Sequence, residues 1–106
     1  MKSNLNYVVS NIVASTEISD ELDLQRICSL LDNCEYEPEI YFALIYKIAK
    51  PKISVLVNKS GKIIFTGAKS IADIELAREI FFKDLRILGY HPTERDIKIQ
   101  NLIVLV

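Results

Sequence analysis

Residues 50–69, KPKISVLVNKSGKIIFTGAK, hold two alternating apolar runs joined by Lys59-Ser60-Gly61. Alternation with a period of two marks half-buried strands, and a short Gly-containing connection between two such runs marks a β-hairpin. In the first strand, residues 52–58, Ile53, Val55 and Val57 oppose Ser54, Leu56 and Asn58; in the second, residues 62–66, Ile63 and Phe65 oppose Lys62, Ile64 and Thr66. One face of each strand is fully apolar. The other mixes lysine, small polar groups and aliphatic carbon, too apolar for a plain solvated surface and too polar for a core. Such a face suits contact with something amphiphilic; an ordinary solvated sheet face is the other reading of the same pattern.

Charge is segregated around this hairpin. Residues 40–72 contain no acid, yet Lys47, Lys50, Lys52, Lys59, Lys62 and Lys69 all lie there. Residues 17–39 carry eight acids (Glu17, Asp20, Glu21, Asp23, Asp32, Glu35, Glu37, Glu39) against Arg26 alone. The net charge of −1, which on its face argues against a polyanionic partner, conceals an acidic and a basic region. At 106 residues, half apolar and a quarter charged, the chain is sized and composed as one globular domain. No window approaches eighteen apolar residues, and Met1-Lys2-Ser3-Asn4 is too polar for a secretory signal, so a cytoplasmic location with no membrane contact is expected.

Outward from the hairpin, residues 6–18 (NYVVSNIVASTEI) form a first strand, with Asn11, Val13 and Ser15 on one face and Ile12 and Ala14 on the other. Ser19-Asp20-Glu21 offers capping groups, and Leu24, Ile27, Cys28 and Leu31 at helical spacing predict a helix over 22–33. An acidic loop, Glu35-Tyr36-Glu37-Pro38-Glu39, leads to a strand over 40–48, where alternation puts Phe42, Leu44, Tyr46 and Ile48 on the core face and Tyr41, Ala43, Ile45 and Lys47 on the other. Ser70-Ile71-Ala72-Asp73 caps a long helix with Ile74, Ala77, Phe81, Leu85 and Leu88 on one stripe; Gly89 and Pro92 end it. Residues 96–106, DIKIQNLIVLV, read as a last strand.

The sequence has little catalytic chemistry to offer. Cys28 and Cys34, with His91 in a Gly-Tyr-His-Pro loop, do not make a metal site, and the cysteines read as reduced thiols. No nucleophile–base pair or carboxylate pair is patterned, so neither an enzyme nor a cofactor is expected.

The last strand repeats the first. At an offset of 90 residues, Tyr7–Val13 aligns without gaps on Ile97–Ile103, asparagine on asparagine. An apolar terminal strand needs cover. Residues 97–106 therefore pair with the first strand, or with another chain, or begin a second repeat.

KPKISVLVNKSGKIIFTGAK, preceded by SNIVAST and EYEPEIYFALIYKI and followed by IKIQN, closely resembles one repeat of the TATA-box-binding protein family, archaeal members especially. The resemblance implies an α+β, β-α-β4-α half-saddle: a curved antiparallel sheet with two helices on its convex face, residues 1–96 as one repeat and 97–106 as the first strand of a second. It implies a general transcription initiation factor whose concave sheet recognises A/T-rich DNA through the minor groove. Ile64, Leu56 and Val13 would supply flat apolar contact, Asn11 and Thr66 hydrogen bonds to base edges, and Lys47, Lys62 and Ser60 phosphate contact. Ser15 and Ala43 share that face, and Asn101 and Ile103 match the central pair of a second repeat. Family members kink DNA with paired phenylalanines; the matching positions here are Tyr41 and Asn58, so kinking is expected to be weakened, with Phe42 facing away. Glu37, Glu39 and Ile40 resemble a docking point for a transcription factor B-type protein, or form a plain acidic loop. Two assemblies follow from the resemblance: the N-terminal repeat of a two-repeat saddle, or a one-repeat relative whose copies dimerise through the first and last strands. The source would place it at a nucleoid or in a nucleus.

Overall fold

The computed structural model describes residues 8–105. Along the chain run β1 (Val8–Glu17), α1 (Leu24–Leu30), β2 (Cys34–Glu35), β3 (Leu44–Ile48), β4 (Ile53–Val57), β5 (Lys62–Ala68), α2 (Ile71–Ile87) and β6 (Lys98–Leu105). This is the β-α-β4-α order followed by one further strand. The six strands form one antiparallel sheet in the order β2-β3-β4-β5-β1-β6. The two helices cover one of its faces. Residues 6, 7 and 106 of the expected terminal strands lie outside the described residues.

The covered face is the alternating apolar set read from the sequence. Leu44, Tyr46, Ile48, Ile53, Val55, Val57, Ile63 and Phe65 are buried against Leu24 and Ile27 of α1 and Ile74, Ala77, Phe81, Phe82 and Leu85 of α2. A one-residue slip would carry every one of these side chains to the other face, so this pattern also holds the register. The Tyr46 hydroxyl donates to Asp84 Oδ2 at 2.5 Å and ties the sheet to α2. Burial, and after it the Asp84 bond, push the Tyr46 phenol well above its usual range.

Local chemistry sets the element ends. The β4–β5 connection is a three-residue loop: Gly61 N–H donates to the Asn58 carbonyl and Asn58 N–H to the Lys62 carbonyl, both at 2.9 Å. Gly61 has φ +100°, and a Cβ there would meet the Ile18 carbonyl oxygen at 2.3 Å. Ser70 caps α2 by accepting the Asp73 N–H. At the other end Gly89 N–H donates to the Arg86 carbonyl and Tyr90 N–H to the Leu85 carbonyl, the paired bonds of a Schellman close. The segment after it is held by the His91 N–H on Asp20 Oδ2 (3.0 Å) and by Arg95 Nη2 on Ser19 Oγ (2.6 Å), which leaves His91 a loop residue.

Three expectations are corrected. The first helix is shorter than 22–33, because Leu31 already has an extended backbone. Part of the acidic loop is strand: Cys34 and Glu35 pair with Tyr46 and Ile45 as β2, the fourth strand of the β4 run, which alternation alone had not revealed. The strand expected over 40–48 begins only at Leu44. After Pro38 the Glu37 carbonyl accepts both Ile40 N–H and Tyr41 N–H at 2.9 Å, so the chain turns through residue 40 and bends at residues 42–43, and strand alternation does not govern the side chains of 40–43.

β1 and β6 pair within the chain. Asn11 opposes Ile103, Ile12 opposes Leu102 and Val13 opposes Asn101. Register shifts fall between Val9 and Asn11 and between Val13 and Ala14, leaving Ser10 and Gln100 without an opposite residue. These two are 90 positions apart, as are Asn11 and Asn101. The ladder is therefore symmetric about Ile12 and Leu102, each strand occupying the role of the other.

Candidate nucleic-acid interface

The sheet face away from the helices presents three rows. Ile45, Leu56, Ile64, Ser15 and Lys98 are successive register partners across β3, β4, β5, β1 and β6. Two residues along the strands on one side lie Lys47, Ser54 and Thr66; on the other lie Lys62 and Glu17, with Asn58 joined to Lys62 through its backbone. Ile45, Leu56 and Ile64 are half-buried. An aliphatic stripe thus runs between two rows that each carry a lysine.

Most residues singled out from the sequence do share this face, but several already have work within the fold. β5 holds one more residue than β1 between the Ile12–Ala68 and Ala14–Phe65 pairs, and Gly67 in this bulge has φ +93°. Its N–H donates to Asn11 Oδ1 at 2.7 Å. Asn11 therefore braces the bulge through its amide oxygen, and an asparagine amide carries an NH2 donor besides. Ser15 is only 6 % exposed, and its Oγ accepts from Gln100 Nε2 at 2.7 Å. Thr66 Oγ1 donates to the Ser54 carbonyl (3.4 Å). Ala43 is buried, whereas Ser60 and Lys62 are exposed at the hairpin turn and Val13 is half-buried beside the exposed Asn101. Ile103 is the register partner of Asn11.

The face is not free of acid, although residues 40–72 contribute none. Glu35 of β2 meets Lys47 Nζ at 2.9 Å with both side chains more than half exposed, and Glu17 is the register partner of Lys62. Strand pairing delivers both acids from the sequence's acidic segment. Basic groups gather in two clefts, the second of which adds residues from outside 40–72. A cleft of about 740 Å³ beside the β3–β4 turn takes Lys47, Lys52 and Lys69 together with Asn11 and Thr66. A smaller one of about 370 Å³, at the β1–β6 end, brings Lys98 and Arg95 to Lys62. Lys98 and Gln100 had no signal in the sequence beyond their place in the repeat, and Arg95 had none.

The expectation that Phe42 faces away is also corrected. Phe42 and Tyr41 line one cavity of about 190 Å³ with Leu56, Asn58, Lys62 and Ile64, on the lysine side of the sheet. Next to them Ile40 is 79 % exposed, and Glu37 and Glu39 are exposed on the same turn. Among the described residues no group of three or more His, Cys, Asp or Glu side chains forms a metal cluster, and no helix is long and apolar enough to cross a membrane. The Cys34 thiol is pushed from 9.0 to about 12, chiefly by burial and then by Cys28 and Asp84.

Residues 6–88 match the family model described as transcription factor TFIID, or TATA-binding protein. The chain belongs to the TATA-binding protein family. It is 40 % identical over 96 residues to the TATA-box-binding protein of Methanocaldococcus jannaschii, covering 90 % of this chain and 52 % of that one. The Thermoplasma volcanium TATA-box-binding protein is 39 % identical over 104 residues, 97 % of this chain and 56 % of the relative. Among solved structures, Methanococcus jannaschii TBP superimposes with a TM-score of 0.83 at 38 % identity, covering 92 % of this chain and 57 % of that chain. The family is one of transcription factors, and the chain spans about half the length of these relatives.

Proposed function

We propose that this chain is a transcription initiation module that docks its open sheet face in the minor groove of A/T-rich promoter DNA. The observation that carries the reading is the Ile45–Leu56–Ile64 stripe lying between the Lys47 and Lys62 rows. A minor groove offers sugar edges and base edges between two phosphate strands, and an aliphatic stripe bordered by cations matches that order. The A·T pair presents only acceptors there, so donors are needed. Asn11, whose oxygen is committed to Gly67, supplies one. The relatives' name, TATA-box-binding protein, supports the same substrate.

The saddle is shared between halves. The symmetric β1–β6 ladder supports reading residues 1–96 as one repeat and residues 97–106 as the first strand of a second. β1 has both edges paired inside the chain, so whatever completes the saddle, further polypeptide or a second copy, joins at the outer edge of β6.

Band shifts of an A·T-rich against a G·C-rich duplex at two salt concentrations test the proposal. The expected result is an A·T preference at both, with affinity falling steeply with salt as lysines release counterions. Equal affinity for the two duplexes at every salt would sink it.

A second reading is favoured by the turn at Glu37, Glu39 and Ile40, where an apolar side chain that is 79 % exposed follows two exposed acids. It makes this turn the docking point for a transcription factor B-type protein. Pull-down with such a protein should weaken in Glu37→Arg and Glu39→Arg; unchanged capture by both variants removes the turn from the interface.

A further inference from the structure

The cleft of about 740 Å³ beside the β3–β4 turn does more than continue the open face. Lys47, Ser54 and Thr66 reach it from that face, whereas Ile48 and Ile53, 8 % and 2 % exposed, belong to the core on the helix side. The cleft therefore wraps round the end of the sheet, towards the first turn of α2, where Asp73 lines it. Gly67 of the β5 bulge lines it without a side chain. A Cβ there would come within 3.4 Å of the Lys52 carbonyl oxygen, and Lys52 is another lining residue, so a larger residue would narrow the opening.

Volume and chemistry together describe a small-molecule site. Ligand clefts span roughly 300–1,000 Å³ and combine an apolar lining with a few convergent polar groups. Here the apolar part is aliphatic, Ile48, Ala49, Pro51 and Ile53, and none of the described lining residues is aromatic, so a nucleobase has nothing to stack on. The charged part is Lys47, Lys52 and Lys69 against Asp73, a balance that attracts anions even with Lys47 also meeting Glu35. A backbone phosphate of a duplex would use the lysines and leave the aliphatic half idle.

We infer that this cleft binds a small amphipathic anion, an acyl or alkyl chain with a carboxylate or phosphate head. The head lies among the three lysines and the chain lies over Pro51 and Ile53. Lys47 and Thr66 line the cleft and also stand in a row of the open face, so an occupied cleft and a bound duplex exclude each other at this end of the sheet. Only that exclusion rests on the minor-groove reading above; the site itself does not.

Titration of the 15N-labelled 106-residue chain with octyl phosphate, below its micelle concentration and without DNA, provides the test. Octyl phosphate is expected to saturate one site and to move the amides of Lys52, Ser54 and Gly67. Butyl phosphate binds about fivefold more weakly or worse, and octanol and inorganic phosphate each bind more weakly than octyl phosphate. Lys52→Gln weakens octyl phosphate roughly threefold at an unchanged thermal midpoint, and Lys52→Arg, which keeps the charge, restores it. In a band shift, octyl phosphate raises the apparent Kd for an A·T-rich duplex, and raises it less in Lys52→Gln. Absence of saturation, shifts centred away from the cleft, or octanol or inorganic phosphate binding as tightly as octyl phosphate overturns the site. If octyl phosphate saturates the cleft while duplex affinity stays unchanged, the exclusion is overturned and the site stands. If wild type shows no A·T preference at any salt, groove binding and the exclusion fall together, whereas the site is decided by the titration without DNA.

Discussion

Lys47 illustrates how a single side chain acquires its role. Its position in an alternating strand places it on the open face, and its type suits phosphate; what the sequence does not display is Glu35, twelve residues away, seated 2.9 Å from its ammonium. An exposed pair of this kind is worth roughly 0–1 kcal/mol, little for folding but enough to compete with a phosphate. Glu35→Gln is therefore expected to tighten duplex binding roughly two- to fivefold and to steepen its salt dependence by about one counterion. Anisotropy titrations over a salt series measure both, and an unchanged affinity and slope would show that Lys47 does not meet the DNA. Asn11 is the converse case. The family resemblance implied a base-edge contact, and the structure adds a bond to the bulged Gly67 that commits one end of the amide.

At the level of elements, the hairpin at residues 50–69 was legible because three independent signals agree there: period-two alternation, a Gly-containing loop and the identity of the apolar face. Its loop also does something alternation cannot show. The Gly61 carbonyl accepts Ile18 N–H at 3.0 Å and the Lys59 carbonyl accepts Leu22 N–H at 2.9 Å, so the turn anchors the passage from β1 to α1. Gly61→Ala combines a positive φ with a backbone clash against Ile18, and is expected to destabilise the protein by at least about 2 kcal/mol. A urea unfolding midpoint equal to wild type would contradict this. Residues 40–43 failed to read correctly for a related reason. Four apolar residues preceding a strand look like more strand, and only the double acceptance at the Glu37 carbonyl reveals that the ladder has not yet begun.

For the molecule as a whole, the packing of α2 on the sheet makes stability sensitive to alkaline pH. Cys34 and Tyr46 hold their protons more tightly when folded than when unfolded, Cys34 up to about 12. The stability each contributes is fully present below its unfolded value, 9.0 for the thiol and 10.0 for the phenol, and is lost as pH rises through the folded one. Unfolding free energy from denaturant titrations should therefore stay level on their behalf up to about pH 9 and decline above it. Cys34→Ala and Tyr46→Phe should each flatten the decline; an undiminished decline in both variants would place its origin elsewhere. The same packing commits one face of the sheet to the helices and leaves the other uncovered by them.

Alternation, capping residues and turn glycines, all local properties of the chain, sufficed to identify the core face, the hairpin and both helices, while the half-saddle to which they belong was implied by the resemblance to the TATA-box-binding protein family. They sufficed because burial imposes a period on each element separately. The pairing of β2 with β3, the acids set against Lys47 and Lys62, the cover of Gln100 over Ser15 and the turn that swings Phe42 onto the lysine face came only with the tertiary structure. Each depends on which residues from distant segments become neighbours across a ladder, and that is settled by the joint burial of all the elements against one another.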